Sequence, residues 1–131
     1  MAELAGLAGL AAAAEPRDVA EIRAVCGRFH TAIELIGTKW TGAVLRALFT
    51  GQRRYGEIKA AVPGVSDTML AQRLRAMREQ GLIERTVAAT TPVQIEYRLT
   101  EMGLALEPVL AAVIAWSHDW ISVPPGAING E

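Results

Sequence analysis

Apolar side chains recur at steps of three and four along most of this chain, then switch to alternation over one short stretch beyond Gly81. The first pattern belongs to helices that bury one face, the second to strands. Leu4, Leu7 and Leu10 start a short amphipathic segment that Gly6 and Gly9 weaken, and Pro16 closes it. From Val19 the residues Ile22, Val25, Cys26, Phe29, Ile33 and Ile36 predict a long helix ended by Gly37. Thr38 is the expected N-cap of a second helix, Lys39–Phe49, with Trp40, Val44, Leu45, Leu48 and Phe49 on one face and Gly51 closing it. A short third helix over Gly56–Ala61 turns at Pro63-Gly64 into a fourth, Asp67–Gln80, capped by Ser66 and stopped by Gly81. Leu82–Val87 and Gln94–Leu99 then read as the strands of a hairpin, joined by a loop holding Pro92. Thr100 caps a last helix, Glu101–Trp120, which Pro108 is expected to bend or break in two.

This order, three helices, a recognition-type helix, a hairpin and a closing helix, predicts a mainly α fold with a small β-hairpin: a winged helix-turn-helix. Three regions are expected, namely an Ala/Leu-rich extension (1–18), the winged domain with its dimerisation helices (19–122) and a loose tail (123–131). The fourth helix carries the functional reading. With Leu70 at 0° and about 100° per residue, Leu74 falls near 40° and Met77 near −20°, so these three define the buried stripe. Thr68, Gln72 and Arg75 lie opposite. Such residues can pair with base edges or phosphates from a helix seated in a major groove.

Charge sharpens this picture. Among 131 residues the formal net charge is only −1, but residues 53–85 carry seven bases against four acids, a net of +3. Residues 1–52 balance five against five, and residues 86–131 carry one base against five acids. A phosphate backbone responds to the local field, so the middle of the chain is the candidate contact region. With 51% apolar and 21% charged residues the chain is of ordinary globular composition, with room for one core. No apolar run reaches the ~20 residues of a membrane span, and the N-terminal stretch lacks the basic lead of a secretion signal. The expected compartment is the cytoplasm, with no membrane partner.

Cys26 is the sole cysteine, so no disulfide can form within one chain. Cys26 and His30 share a helix face, but only His118 remains as a further histidine, too little for a zinc site. Neither a metal nor a cofactor is expected. No glycine-rich phosphate loop, carboxylate–histidine cluster or nucleophile motif is present, which argues against an enzyme. Trp40, Trp116 and Trp120 either line an effector pocket or serve in core and dimer packing.

The segments "ELIGTKWTGAVLRAL" (Glu34–Leu48), "GQRRYGEIKAAVPGVSDTMLAQRLRAMREQGLIER" (Gly51–Arg85) and "IEYRLTEMGLALEPVL" (Ile95–Leu110) follow one another without a large insertion. Together with Cys26 before them, they make the stretch Cys26–Trp116 resemble the HxlR-type winged helix-turn-helix regulators, a bacterial group related in architecture to the MarR proteins. The resemblance implies a homodimeric transcriptional regulator, a repressor, on a roughly palindromic double-stranded DNA site, with a small-molecule effector as a further partner. It assigns backbone contacts to Arg53 and Arg54 and the recognition surface to Ser66, Thr68, Gln72 and Arg75. Arg73 belongs to the same motif, with a structural role equally open. For Arg85 and Arg98, backbone contact and intramolecular pairing both stand. It also marks Cys26 as a candidate sensor of oxidants or electrophiles, against the alternative of a small buried residue at the dimer seam. Two departures are visible. The wing Val87–Gln94 has no Lys or Arg, and Gly27 follows Cys26 where the group usually has proline. The uncharged wing supports a rival reading, a winged-helix protein-interaction module without DNA binding.

Overall fold

A computed structural model describes residues 27–124. The expected Leu4–Leu10 segment and Cys26 lie outside the described residues. The chain divides into two compact units, Met1–Ile36 and Gly37–Glu131, taken separately below. In the first, α1 (Gly27–Gly37) is an amphipathic helix. Phe29 and Ile33, one turn apart on one face, are about half exposed.

The second unit holds α2 (Thr41–Phe49), α3 (Tyr55–Ala61), α4 (Asp67–Glu79), strands β1 (Ile83–Ala88) and β2 (Gln94–Leu99), α5 (Glu101–Leu104) and α6 (Glu107–Trp120). Its core is the set the 3.6-residue period selects. Val44, Leu45 and Leu48 from α2 and Ile58 from α3 meet Leu70, Leu74 and Met77 from α4, all buried. Leu82 and Ile83 at the start of the hairpin complete it. Each such side chain contributes about 1.5–3 kcal/mol by leaving water, so the helix-turn-helix and the root of the hairpin share one hydrophobic centre.

The second helix starts later than the sequence suggests. Thr38 is not the N-cap residue. Instead its carbonyl accepts from Thr41 N at 3.0 Å, and Trp40 occupies the N-cap position with φ 76° and ψ −17°. A bulky residue at positive φ costs roughly 1–3 kcal/mol and persists only where packing compensates. Here the indole is carried to the Pro63-Gly64 turn, where Trp40 Cη2 lies 3.6 Å from the position a Cβ on Gly64 would take. Local capping chemistry lost to tertiary packing of one ring.

Pro108 does divide the last helical stretch. It sits in the first turn of α6, where its missing N–H costs nothing, and α5 becomes a separate single turn. Thr100 ties that turn to the hairpin. Its Oγ1 accepts from Gly103 N at 3.2 Å and donates to the Gly81 carbonyl, while its own N–H donates to Leu82 O at 3.0 Å. The strands pair antiparallel in the register Ile83↔Leu99, Arg85↔Tyr97, Val87↔Ile95. Gly51, Gly64 and Gly81 all adopt positive φ at the turns they were expected to make.

Candidate nucleic-acid interface

The helix-turn-helix places the N-termini of α3 and α4 side by side. Ser66 caps α4 by accepting from Met69 N at 3.1 Å. Asp67, the first residue of α4, is then held by two groups from α3. Tyr55 Oη donates to Asp67 O at 3.0 Å and to Oδ1 at 3.2 Å, and Lys59 Nζ lies 2.9 Å from Oδ1. The Lys59 ammonium and the tyrosine hydroxyl hold the Asp67 carboxyl below its ordinary range. Burial, reinforced by the carboxylate, raises the Tyr55 hydroxyl above its own. Sequence reading missed this clamp, because nothing in the spacing says that residues on two helices will meet across a turn.

From that anchored start α4 presents Thr68, Gln72 and Arg75 to solvent, opposite the buried stripe of Leu70, Leu74 and Met77. Arg73 lies on the flank, half-buried. Its Nε is buried and has no hydrogen-bond partner among the described residues.

Arg53 and Arg54 precede α3. Glu57 accepts from both backbone N–H groups at 3.1 Å, which lowers its carboxyl below the usual range and closes the first turn of the helix. The Arg53 guanidinium folds back, Nη1 donating to Leu48 O at 3.3 Å and Gln52 O at 3.2 Å at the end of α2. Its carbonyl accepts from Tyr97 N at 2.7 Å, so this loop lies against β2. Arg54 is exposed. Lys39 sits 5.3 Å from the centre of the Trp40 ring. Arg98 Nη2 contacts Glu96 Oε1 at 3.4 Å, on the outer face of the hairpin.

A cleft of about 380 Å³ lies between α2, the end of α3 and α6, with Trp40, Ala43, Arg46, Leu110 and Ile114 among its walls. Trp116 and Trp120 do not line it and are 58% and 73% exposed. His30 Nε2 lies 2.9 Å from Glu34 Oε1 one turn on. No cluster of three or more metal-ligating side chains occurs among the described residues. No helix among them is long and apolar enough to cross a membrane.

A buried three-helix core, a capped helix with an outward polar face and a two-stranded wing define a winged helix-turn-helix protein. The chain belongs to the HxlR-like helix-turn-helix family, whose model matches residues 35–124. It is 37% identical over 97 residues to the Bacillus subtilis HTH-type transcriptional regulator YvaP, covering 74% of this chain and 90% of that one. With the B. subtilis HTH-type transcriptional regulator YodB the identity is 37% over 96 residues, 73% of this chain and 86% of that one. Among solved structures, the reduced form of YodB superposes with a TM-score of 0.69 at 34% identity, covering 76% of this chain and 97% of that one. The redox regulator HypR in its oxidized form gives 0.68 at 29% identity, covering 73% and 99%. The protein is thus a transcriptional regulator of this family, and its relatives are named as regulators rather than enzymes.

Proposed function

We propose that this protein is a sequence-specific double-stranded DNA-binding repressor that acts as a homodimer in the bacterial cytoplasm. The observation that carries the reading is the outward face of α4. Thr68, Gln72 and Arg75 project from a helix whose start is fixed by Ser66 and the Tyr55–Asp67–Lys59 clamp. Gln72 suits adenine, Arg75 guanine or a phosphate, and Thr68 a phosphate or a thymine methyl. Arg54 is the backbone contact before α3. Arg53 takes that role only by leaving the Leu48 and Gln52 carbonyls that now hold it. Repression by occupancy of the site requires no partner beyond DNA.

Dimerisation is supported by exposed apolar side chains on described helices of each unit. On α6, Val109, Val113, Trp116 and Trp120 form an exposed stripe, and on α1 Phe29 and Ile33 do the same. Two copies related by a two-fold axis would bury such stripes. The regulatory input we propose is oxidation of the Cys26 thiol, supported by the likeness to YodB and to a protein named as a redox regulator. The cleft beside Trp40 is the alternative place for a small-molecule effector.

The test is duplex binding measured against salt. Wild type should lose affinity with a log–log slope of about −0.9 for each phosphate contact. Gln72→Ala and Arg75→Ala should each weaken binding to the preferred sequence by about 1–3 kcal/mol and relax specificity there. Salt-independent binding, or indifference to both substitutions, would favour the protein-interaction module instead.

A further inference from the structure

The bare wing raises the question of where the second backbone contact comes from. Beside the reading face, the end of α4 and the start of β1 enclose a shallow hollow of about 520 Å³. It is lined by Arg75, Arg78, Glu79, Ile83, Glu84 and Arg85. Three guanidiniums therefore gather at one place, on two elements that the buried pair Leu82 and Ile83 holds together. None of the three makes an ion pair or side-chain hydrogen bond among the described residues.

The hairpin's alternation explains why the nearby acids leave them unpaired. Glu84 sits opposite Arg98 in the register, and Glu96 contacts Arg98 directly, so both acids share one face of the hairpin with that cation. Arg85, paired with Tyr97, projects from the other face. On α4, Arg78 falls about 60° around the helix from Arg75, toward the flank of the outward stripe. Three cations against the two acids of the lining, Glu79 and Glu84, leave the hollow a formal net charge of +1, with no ion pair to any of the three among the described residues.

We infer that Arg78 and Arg85 form a phosphate clamp at the root of the wing, taking up the DNA backbone that flanks the groove read by α4. The inference rests on the DNA-binding reading above. Two features select duplex DNA as the occupant: the charge of the hollow, and its continuity through Arg75 with the reading face. Planar guanidinium groups match phosphate oxygens in pairs. The clamp replaces the charged wing tip that this chain lacks. It adds affinity without adding sequence information.

The experiment uses the full chain with two probes, a duplex recovered by selection from random sequence and an unselected random duplex of equal length. In Arg78→Ala/Arg85→Ala the magnitude of the log–log salt slope should fall by about 3.6, two contacts' worth in each protomer of the proposed dimer. Affinity for both duplexes should drop by the same factor, so discrimination between them stays unchanged. Arg78→Lys/Arg85→Lys should keep the wild-type slope. A control losing equal charge elsewhere, Lys39→Ala/Arg98→Ala, should leave the slope near wild type. If the alanine pair keeps the wild-type slope, or loses discrimination rather than affinity, the clamp is overturned while the α4 reading stands. If wild type itself binds neither duplex in a salt-dependent way, both readings fall.

Discussion

Gly103 shows how one residue can carry a junction. A Cβ placed there would collide with the Leu82 carbonyl oxygen and meet Leu99 Cδ2 at 3.0 Å. That carbonyl also accepts the Thr100 N–H, so it cannot retreat without breaking the link between β1 and α5. Gly103→Ala should therefore lower stability by about 1–3 kcal/mol, read as a shift in the denaturant midpoint at constant m. An unchanged midpoint would mean the backbone accommodates the methyl. The sequence shows Gly103 only as a helix-weakening residue near a helix start; the close approach is visible only once the hairpin is folded.

At the scale of elements, the start of α4 is held by its neighbour α3. The amphipathic period of α4 and its Ser66 cap were legible, because they come from spacing within a few residues. Its attachment to α3 was not, since Tyr55 and Lys59 reach Asp67 across the Pro63-Gly64 turn. The clamp carries a pH signature. Asp67 ionises more readily in the folded protein than in an unfolded chain, where a carboxylate of its kind titrates near ~3.9. Its stabilising contribution is present above that pH and is lost as pH falls through the lowered folded value. Asp67→Asn should remove the clamp's charge and flatten this part of the acid unfolding curve, by circular dichroism between about pH 5 and pH 2. An identical acid curve in the variant would assign that acid sensitivity to other carboxylates, such as Glu57.

At the scale of the molecule, α6 is the odd element. It has no buried residue, although most of its side chains are apolar. Leu110, Val113 and Ile114 line the cleft, while Val109, Val113, Trp116 and Trp120 form an exposed stripe centred roughly 110° around the helix from Leu110 and Ile114. Such a stripe is the surface that the proposed dimer would bury. Sedimentation at micromolar concentration should give a dimer, and Trp116→Glu should shift it to monomer with the fold retained. Diamide treatment should then yield a covalent dimer on non-reducing gels and altered DNA affinity in wild type, and neither in Cys26→Ser. A wild-type monomer, or a Cys26→Ser protein that responds like wild type, would count against the corresponding part of the proposal.

The amino-acid sequence by itself determined the element order, the α4 stripe of Leu70, Leu74 and Met77, the break at Pro108 and the turns at Gly51, Gly64 and Gly81. These depend on side-chain period and on backbone freedom within a few residues, which a linear pattern records directly. Tertiary structure alone decided the rest. It placed Trp40 at positive φ against the helix-turn-helix turn, turned the Arg53 guanidinium onto α2, and paired Arg98 while leaving Arg85 without an ion pair among the described residues. Each of those outcomes is a contact between residues that are neighbours only in the fold, where packing and alternation across the hairpin outweigh local preference.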